Sequence, residues 1–197
     1  MRQRAFTSLL LVGLAASVLA CSGPNIVLAT LPEGGDAEQS CTSDADAGAA
    51  CPIGWYCDKP TCDAPSGTCR PRPTTCDEGE LPVCGCDGVT YFDDCLRRAN
   101  GIASMTPTPC QPGSARTCGE QPEASCPPGS LCAEFVGPGP GSCQMPPYGI
   151  CWAIPAPCPA PGPGGGRLDS CSTMQRCIDT CSAIRQGGVY HHSMMCP

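Results

Sequence analysis

The residues best equipped for chemistry in this chain are its cysteines, 21 among 197 residues, beside 24 glycines and 24 prolines. A cysteine can ligate a metal, attack as a thiolate or close a disulfide, and spacing separates these uses. No C-x2-C pair occurs, and the only histidines, His191 and His192, are adjacent and therefore point to opposite faces of any strand. No metal site and no cofactor are expected. Serines and carboxylates occur without a nucleophile motif, so no catalytic residue is assigned and the chain is not read as an enzyme. Disulfide closure remains, restricting the unfolded chain by about 2–4 kcal/mol per bridge. One segment adds a further feature: between Cys76 and Cys84 three carboxylates, Asp77, Glu78 and Glu80, surround Gly79 in a loop pinned at both ends.

The elements that hold this loop cannot rest on an ordinary core. Leu, Ile, Val and Phe number 28, and eight of these lie in the first twenty residues. The remainder is too little apolar material for a TIM barrel or a Rossmann enzyme. The composition predicts a small disulfide-rich α+β fold, made in an oxidising compartment outside the cytosol. With 11 basic against 18 acidic residues the net charge is −7, which leaves no basic face for nucleic acid.

Residues 1–20 have the plan of a signal peptide: Arg2 and Arg4, an apolar run from Leu9 to Leu19 too short for a permanent membrane span, then small residues. Val18-Leu19-Ala20-Cys21 closes the run and resembles the lipobox of bacterial lipoproteins, which implies cleavage before Cys21 and acylation of its thiol. Ordinary cleavage at the same bond is the alternative. Acylation of Cys21 leaves twenty cysteines, an even number. Residues 21–40 carry no other cysteine and no aromatic residue, and read as a flexible tether to a membrane. Ser22 after the acylated position favours an outer membrane or cell surface over an inner one; secretion is the other possibility.

Ten cysteines lie between Cys41 and Cys110 and ten between Cys118 and Cys196, with Gln111 to Ser114 as a joint. Cys51-Pro52-Ile53-Gly54-x-x-Cys57 matches Cys126-Pro127-Pro128-Gly129-x-x-Cys132, and each half ends C-x14-C with a glycine, Gly101 or Gly187, six residues after the first cysteine. These spacings read as a divergent repeat that leaves Cys62 and Cys86 unmatched in one half and Cys171 and Cys177 in the other. Within the second module, 118–196, the stripe Cys171, Met174, Ile178, Cys181 and Ile184 predicts a helix over Ser170 to Gln186, capped by Asp169 or Ser170 and stopped by Gly187.

In the first half, Asp87-Gly88 between β-type residues signals a two-residue type I′ hairpin. Asp93 or Asp94 can cap a short helix that turns Leu96 inward, with Arg97 and Arg98 at its negative end and Gly101 at its exit. Ile102 to Thr106 returns as a third strand. Residues 69–110 further show Cys69-x6-Cys76-x7-Cys84-x10-Cys95-x14-Cys110 around Pro82-Val83-Cys84-Gly85-Cys86-Asp87-Gly88-Val89-Thr90-Tyr91. This pattern resembles the Kazal-type serine protease inhibitor domain, a short antiparallel sheet with one helix. The upstream run from Trp55 to Pro73 looks like the extension of a bacterial variety of that family, making residues 41–68 a cysteine-rich extension.

The resemblance implies that the loop enters a serine protease cleft as a substrate would, with Glu78 in the primary pocket, Glu78-Gly79 as the reactive bond, and Asp77 and Glu80 flanking it. Tyr91 and Asp93 fall at loop-supporting positions, Asp93 where the family has asparagine. An acidic residue at the pocket position disfavours trypsin-like and apolar pockets and leaves open a glutamate-specific protease. The family's fifth cysteine is absent and Cys86 is extra, so the resemblance implies Cys76–Cys95, Cys84–Cys110 and, as the simplest repair, Cys69–Cys86. Cys41, Cys51, Cys57 and Cys62 would then close two bridges among themselves in one of three ways. By the repeat, Cys151 to Cys158 would be a second loop with Ala153 at a pocket position, or else a rigid proline-rich connector. The alternative function is a non-inhibitory, follistatin-like module that binds another extracellular protein, or a purely structural surface protein.

Overall fold

The computed structural model describes residues 39–42, 50–76, 79–119, 125–160, 166–172 and 175–196. The leader, Cys21 and nearly all of the tether lie outside them. Residues 37–197 form one unit by their contacts. All twenty cysteines from Cys41 onward are paired, five bridges within each half. Among the described residues no helix is long and apolar enough to cross a membrane.

The extension folds as a three-stranded antiparallel sheet of β1 (Ser40–Thr42), β2 (Trp55–Asp58) and β3 (Ser66–Pro71), with β3 in the middle. Pro52-Ile53-Gly54 makes the turn into β2: the Trp55 amide donates to the Pro52 carbonyl at 3.0 Å, and Gly54 has φ +82. Cys41 bonds to Cys57 and Cys51 to Cys69. Gly67, opposite Cys41 on the middle strand, leaves room first for the neighbouring β2 backbone and then for this crossing, since a Cβ there would collide with the Asp58 carbonyl and lie 3.1 Å from Cys57 Sγ.

Here the expected pairing is corrected. Cys69 does not reach Cys86; it is buried in β3 and held by Cys51, while Cys62, on the β2–β3 connection, bonds to Cys86. Of the four extension cysteines, Cys41 and Cys57 bond to each other, while Cys51 and Cys62 find partners outside the four. Cys62–Cys86 instead staples the extension to the next hairpin.

That hairpin is β4 (Val83–Gly85) and β5 (Thr90–Tyr91), followed by α1 (Asp94–Ala99) and by β6 (Ser104–Thr106), which returns antiparallel to β4. Its turn differs from the expected type I′. Only Gly88 has positive φ (+78) and its amide donates to the Gly85 carbonyl at 2.9 Å, so Cys86-Asp87-Gly88 is a three-residue turn ending in a left-handed glycine.

The second half supplies β7 (Thr117–Cys118), β8 (Leu131–Val136), β9 (Tyr148–Ala153), β10 (Leu168–Ser170), α2 (Thr180–Gln186) and β11 (Val189–His192). All strands from β4 onward join one eight-stranded sheet ordered β10-β11-β8-β9-β5-β4-β6, with β7 also paired to β9. The pairs β5–β9 and β11–β8 are parallel. The expected long helix is shorter, because residues 168–170 pair with β11 as a strand and Ile178 bridges to Leu168. Asp179, not Asp169 or Ser170, caps α2 by accepting from the Ser182 amide at 2.8 Å.

The repeat is visible in three dimensions: Cys51 and Cys57 match Cys126 and Cys132, and Cys95 and Cys110 match Cys181 and Cys196, as expected, while the register between them differs. Cys57 lies opposite Cys69 and Cys132 opposite Cys151; Cys41 lies opposite Gly67 and Cys118 opposite Gly149. Cys118–Cys132 and Cys126–Cys151 repeat the two extension bridges. Val83 opposite Tyr91 recurs as Leu168 bridged to Ile178, and α1, capped by Asp93, recurs as α2, capped by Asp179. Cys76–Cys95 then answers to Cys158–Cys181, and Cys177–Cys196 answers to Cys84–Cys110 with one end moved across the strands, because in this register Asp169 stands at the place of Cys84 and Cys177 at that of Thr90. The pairs with no counterpart at either end are Cys62–Cys86 and Cys143–Cys171.

The cores are small. Val83, Val89, Tyr91, Cys151 and Ala153 form one cluster drawn from both halves, with Leu96 packed on it. Leu168, Ile178, Ala183 and Tyr190 form a second. Leu168 is fully buried, so Leu168→Ala should lower stability by about 3 kcal/mol, measured by urea unfolding of the oxidised protein.

Candidate functional site

The loop between Cys76 and Cys84 springs from two fixed points. Cys76 bonds to Cys95 in the first turn of α1, and Cys84, fully buried in β4, bonds to Cys110. Asp77 and Glu78 fall outside the described residues. Gly79, Glu80 and Leu81 are exposed, Leu81 at 71%, and a Cβ at Gly79 would meet nothing within 4 Å. The Leu81 amide donates to the Phe92 carbonyl at 3.2 Å. Glu80 Oε1 accepts from Thr180 Oγ1 at 2.6 Å, a contact across 100 residues.

The two expected supports are both buried at the base of the loop. Tyr91 donates its hydroxyl to Asp87 Oδ2 at 2.8 Å, while Asp87 Oδ1 accepts from the Val89 amide at 3.1 Å. Burial, reinforced by donation to the Asp87 carboxylate, pushes the Tyr91 phenol well above its ordinary pKa. Tyr91 therefore braces the β4–β5 turn. Asp93 is spent on the helix: its Oδ1 accepts from the Leu96 amide at 2.7 Å as N-cap of α1. Its carboxylate also lies within 4.8 Å of the sulfurs of Cys76 and Cys95, so cap and loop anchor meet at one place.

Behind the loop, Arg97 joins the helix to the extension. Although 4% exposed, it donates from Nε to Asp94 Oδ1 at 2.8 Å and from Nη1 to the Ile102 carbonyl, and Nη1 lies 3.8 Å from Asp58 Oδ1. Arg98 pairs with the other Asp94 oxygen at 2.6 Å. Burial by itself would raise the Asp94 pKa, but the hydrogen bonds from Arg97 and Arg98 outweigh it and hold the carboxyl below the usual range. The Asp-x-x-Arg-Arg spacing carries this cluster in the sequence, as neighbours three and four apart on one helix face.

The expected second loop is not a loop at its start. Cys151, Trp152 and Ala153 form the end of β9 and are buried, and the Ala153 carbonyl accepts from the Phe92 amide at 3.0 Å. Ala153 is thus no counterpart of Glu78, and the counterpart of Cys76 is Cys158. Of the two histidines, His191 is buried and His192 exposed. His191 turns Nδ1 to the His192 carbonyl at 3.1 Å, while its cross-strand neighbour Asp169 accepts from the Cys177 amide at 2.9 Å.

Together these elements make a module of one short hairpin, one helix and a returning strand, with an exposed loop hung between the Cys76–Cys95 and Cys84–Cys110 bridges. Residues 71–103 match the Kazal-type serine protease inhibitor domain. The match takes in the loop, β4, β5 and α1. No curated protein and no solved structure matches the chain. Within the matched segment the chain carries a Kazal-type module, of a class that inhibits proteases rather than acting as an enzyme. That module and the ten disulfides also fit an exported protein. Sequence reasoning missed Thr180 and Ala153 as neighbours of the module, and no local signal marks them, because both contacts arise from how the halves pack.

The Asp94 cluster makes stability pH-dependent with a definite sign. Its folded pKa is depressed, so its contribution is complete above the unfolded value, about 3.9, and is lost as pH falls through the folded one. Asp94→Asn should lower the urea midpoint at pH 7, and the difference from the parent protein should shrink as the pH falls below the unfolded value and through the lower folded one.

Proposed function

We propose that the protein is a substrate-like inhibitor of a serine protease, with Glu78-Gly79 as the reactive bond and Asp77, Glu78, Gly79 and Glu80 as the contact residues. The observation that carries this reading is an exposed segment tied by a bridge at each end to the helix and sheet of a Kazal-type module. A loop cross-linked at both ends loses less conformational entropy on entering a protease cleft than a free segment does. The acidic contact residues select a protease with a cationic primary pocket, and therefore glutamate specificity.

The same reading takes residues 1–20 as an export signal, Cys21 as a lipid anchor and the following residues to about 40 as the tether. Residues 41–68 then serve as the extension, 69–110 as the inhibitory domain and 118–196 as the second module. The protein would be displayed on an outer membrane or cell surface. A second reading, a non-inhibitory module that binds another extracellular protein, is favoured by the open space beside Gly79, where a Cβ would meet nothing within 4 Å.

A panel assay of the oxidised protein against glutamate-, lysine/arginine- and small-residue-specific serine proteases separates the two. Inhibition of the glutamate-specific enzyme, transferred to a trypsin-like enzyme by Glu78→Lys, is the expected result. Prompt digestion at Glu78-Gly79 with release of both ends, or no binding to any enzyme, would sink the inhibitory reading. Intact mass on protein taken from its membrane should show a diacylglyceryl increment on Cys21; a free amino-terminal cysteine would leave the anchor without support.

A further inference from the structure

We infer that the second half is a built-in support for the reactive loop of the first, with Thr180 as the positioning residue for the segment that follows the Glu78-Gly79 bond. The inference rests on the inhibitory reading and adds to it the device that retains the loop after cleavage. Hydrolysis of the bond consumes one water and leaves a carboxylate on Glu78 and an amine on Gly79. Resealing returns that water and needs the amine still in place. A Cβ at Gly79 would meet nothing within 4 Å, so the described contacts that bear on its position are those of the residues after it.

Those residues are held at two consecutive points, and both lead into the second half. Glu80 accepts from the Thr180 hydroxyl at 2.6 Å. The Leu81 amide is bound by the Phe92 carbonyl, and the Phe92 amide in turn by the Ala153 carbonyl at 3.0 Å. Beyond them β5 runs parallel to β9, with Tyr91 opposite Ala153. Thr180 is firmly mounted, because it follows the cap residue Asp179, and the next residue, Cys181, is fully buried and bonded to Cys158. The counterpart of Thr180 in the first half is Asp94, whose carboxylate is taken up by Arg97 and Arg98. The repeat thus places a hydroxyl where the first half has a charge already in use, and that hydroxyl faces the loop. Adjacent Cα atoms are about 3.8 Å apart, so fixing Glu80 confines the Gly79 amine to a small volume.

Thr180→Val removes the hydroxyl and keeps the shape. In the free oxidised protein, amide hydrogen exchange at Leu81 should rise by roughly threefold to tenfold, the worth of one hydrogen bond, and Glu80→Ala should do the same from the other side. Thr180→Ser should restore protection, and Gln186→Ala, exposed on the same helix, should leave it unchanged. With an inhibited protease, Thr180→Val should raise the equilibrium ratio of cleaved to intact inhibitor by a similar factor. Unchanged exchange in both Thr180→Val and Glu80→Ala overturns the support; raised exchange with an unchanged cleaved-to-intact ratio overturns its role in resealing. If the parent protein inhibits no protease while exchange responds as expected, the inhibitory reading fails and the support of the loop stands.

Discussion

Strand β9 is the constraint on which the rest of the molecule depends. No disulfide joins the two halves, so their union falls to one strand that uses both edges: β8 lies on one side, and β7 and β5 share the other. Its residues alternate between the two cores, Trp152 beside Ala133 and Ile184, Cys151 and Ala153 beside Val83, Val89 and Tyr91. A strand paired on both edges and buried on both faces has to be apolar and uncharged at its end, and Ile150-Cys151-Trp152-Ala153 is. The segment between the halves is not a free joint either. The Arg116 amide donates to the Gly88 carbonyl and its own carbonyl accepts from the Cys151 amide, both close to 3 Å, so the connection is itself stitched into the seam.

Within each half the bridges do what apolar side chains do in a larger fold. Cys41, Cys69, Cys84, Cys151 and Cys181 are among the most buried residues, so sulfur fills space as well as restricting the unfolded chain. This also explains the glycines of the middle strands. A bridge between flanking elements must pass close over the strand between them, and Gly67 and Gly149 occupy those places; a Cβ at Gly149 would come within 2.9 Å of Cys132 Sγ. The repeat persists where such packing demands it, at the turn into β2 or β8 and at the short capped helix. It diverges where a loop only has to connect.

What was legible in the sequence follows from the range of the interactions. The helix α1 with its Asp93 cap, the return of β6, and the bridges Cys76–Cys95 and Cys84–Cys110 were marked by local spacing or by the family pattern. The exchange of Cys69–Cys86 for Cys51–Cys69 and Cys62–Cys86 was not, because counting along the chain gives no information on which face of β3 a thiol occupies. The helix expected over Ser170 to Gln186 lost its first ten residues for a related reason. The same apolar spacing that makes a helical stripe also lets Leu168 and Ile178 meet across a strand bridge, and β11 was there to pair with residues 168–170. At the loop, the carboxylates were plain from the sequence but the Thr180 hydroxyl was not, since nothing near either residue encodes a contact made through β5 and β9.

The repeat also bears on why one loop and not two is a candidate for recognition. In the first half Cys84 follows Cys76 closely, and the loop is anchored at one end to α1 and at the other within the small sheet. In the second half Asp169 stands at the place of Cys84, so the segment after Cys158 is longer and has no bridge at that far end. A longer segment keeps more conformational freedom and loses more on binding. With its own loop so lengthened, the second half keeps the rigid parts of the module, the paired strands and the capped helix. Those are the parts that lie against the first half and carry Ala153 and Thr180 to it.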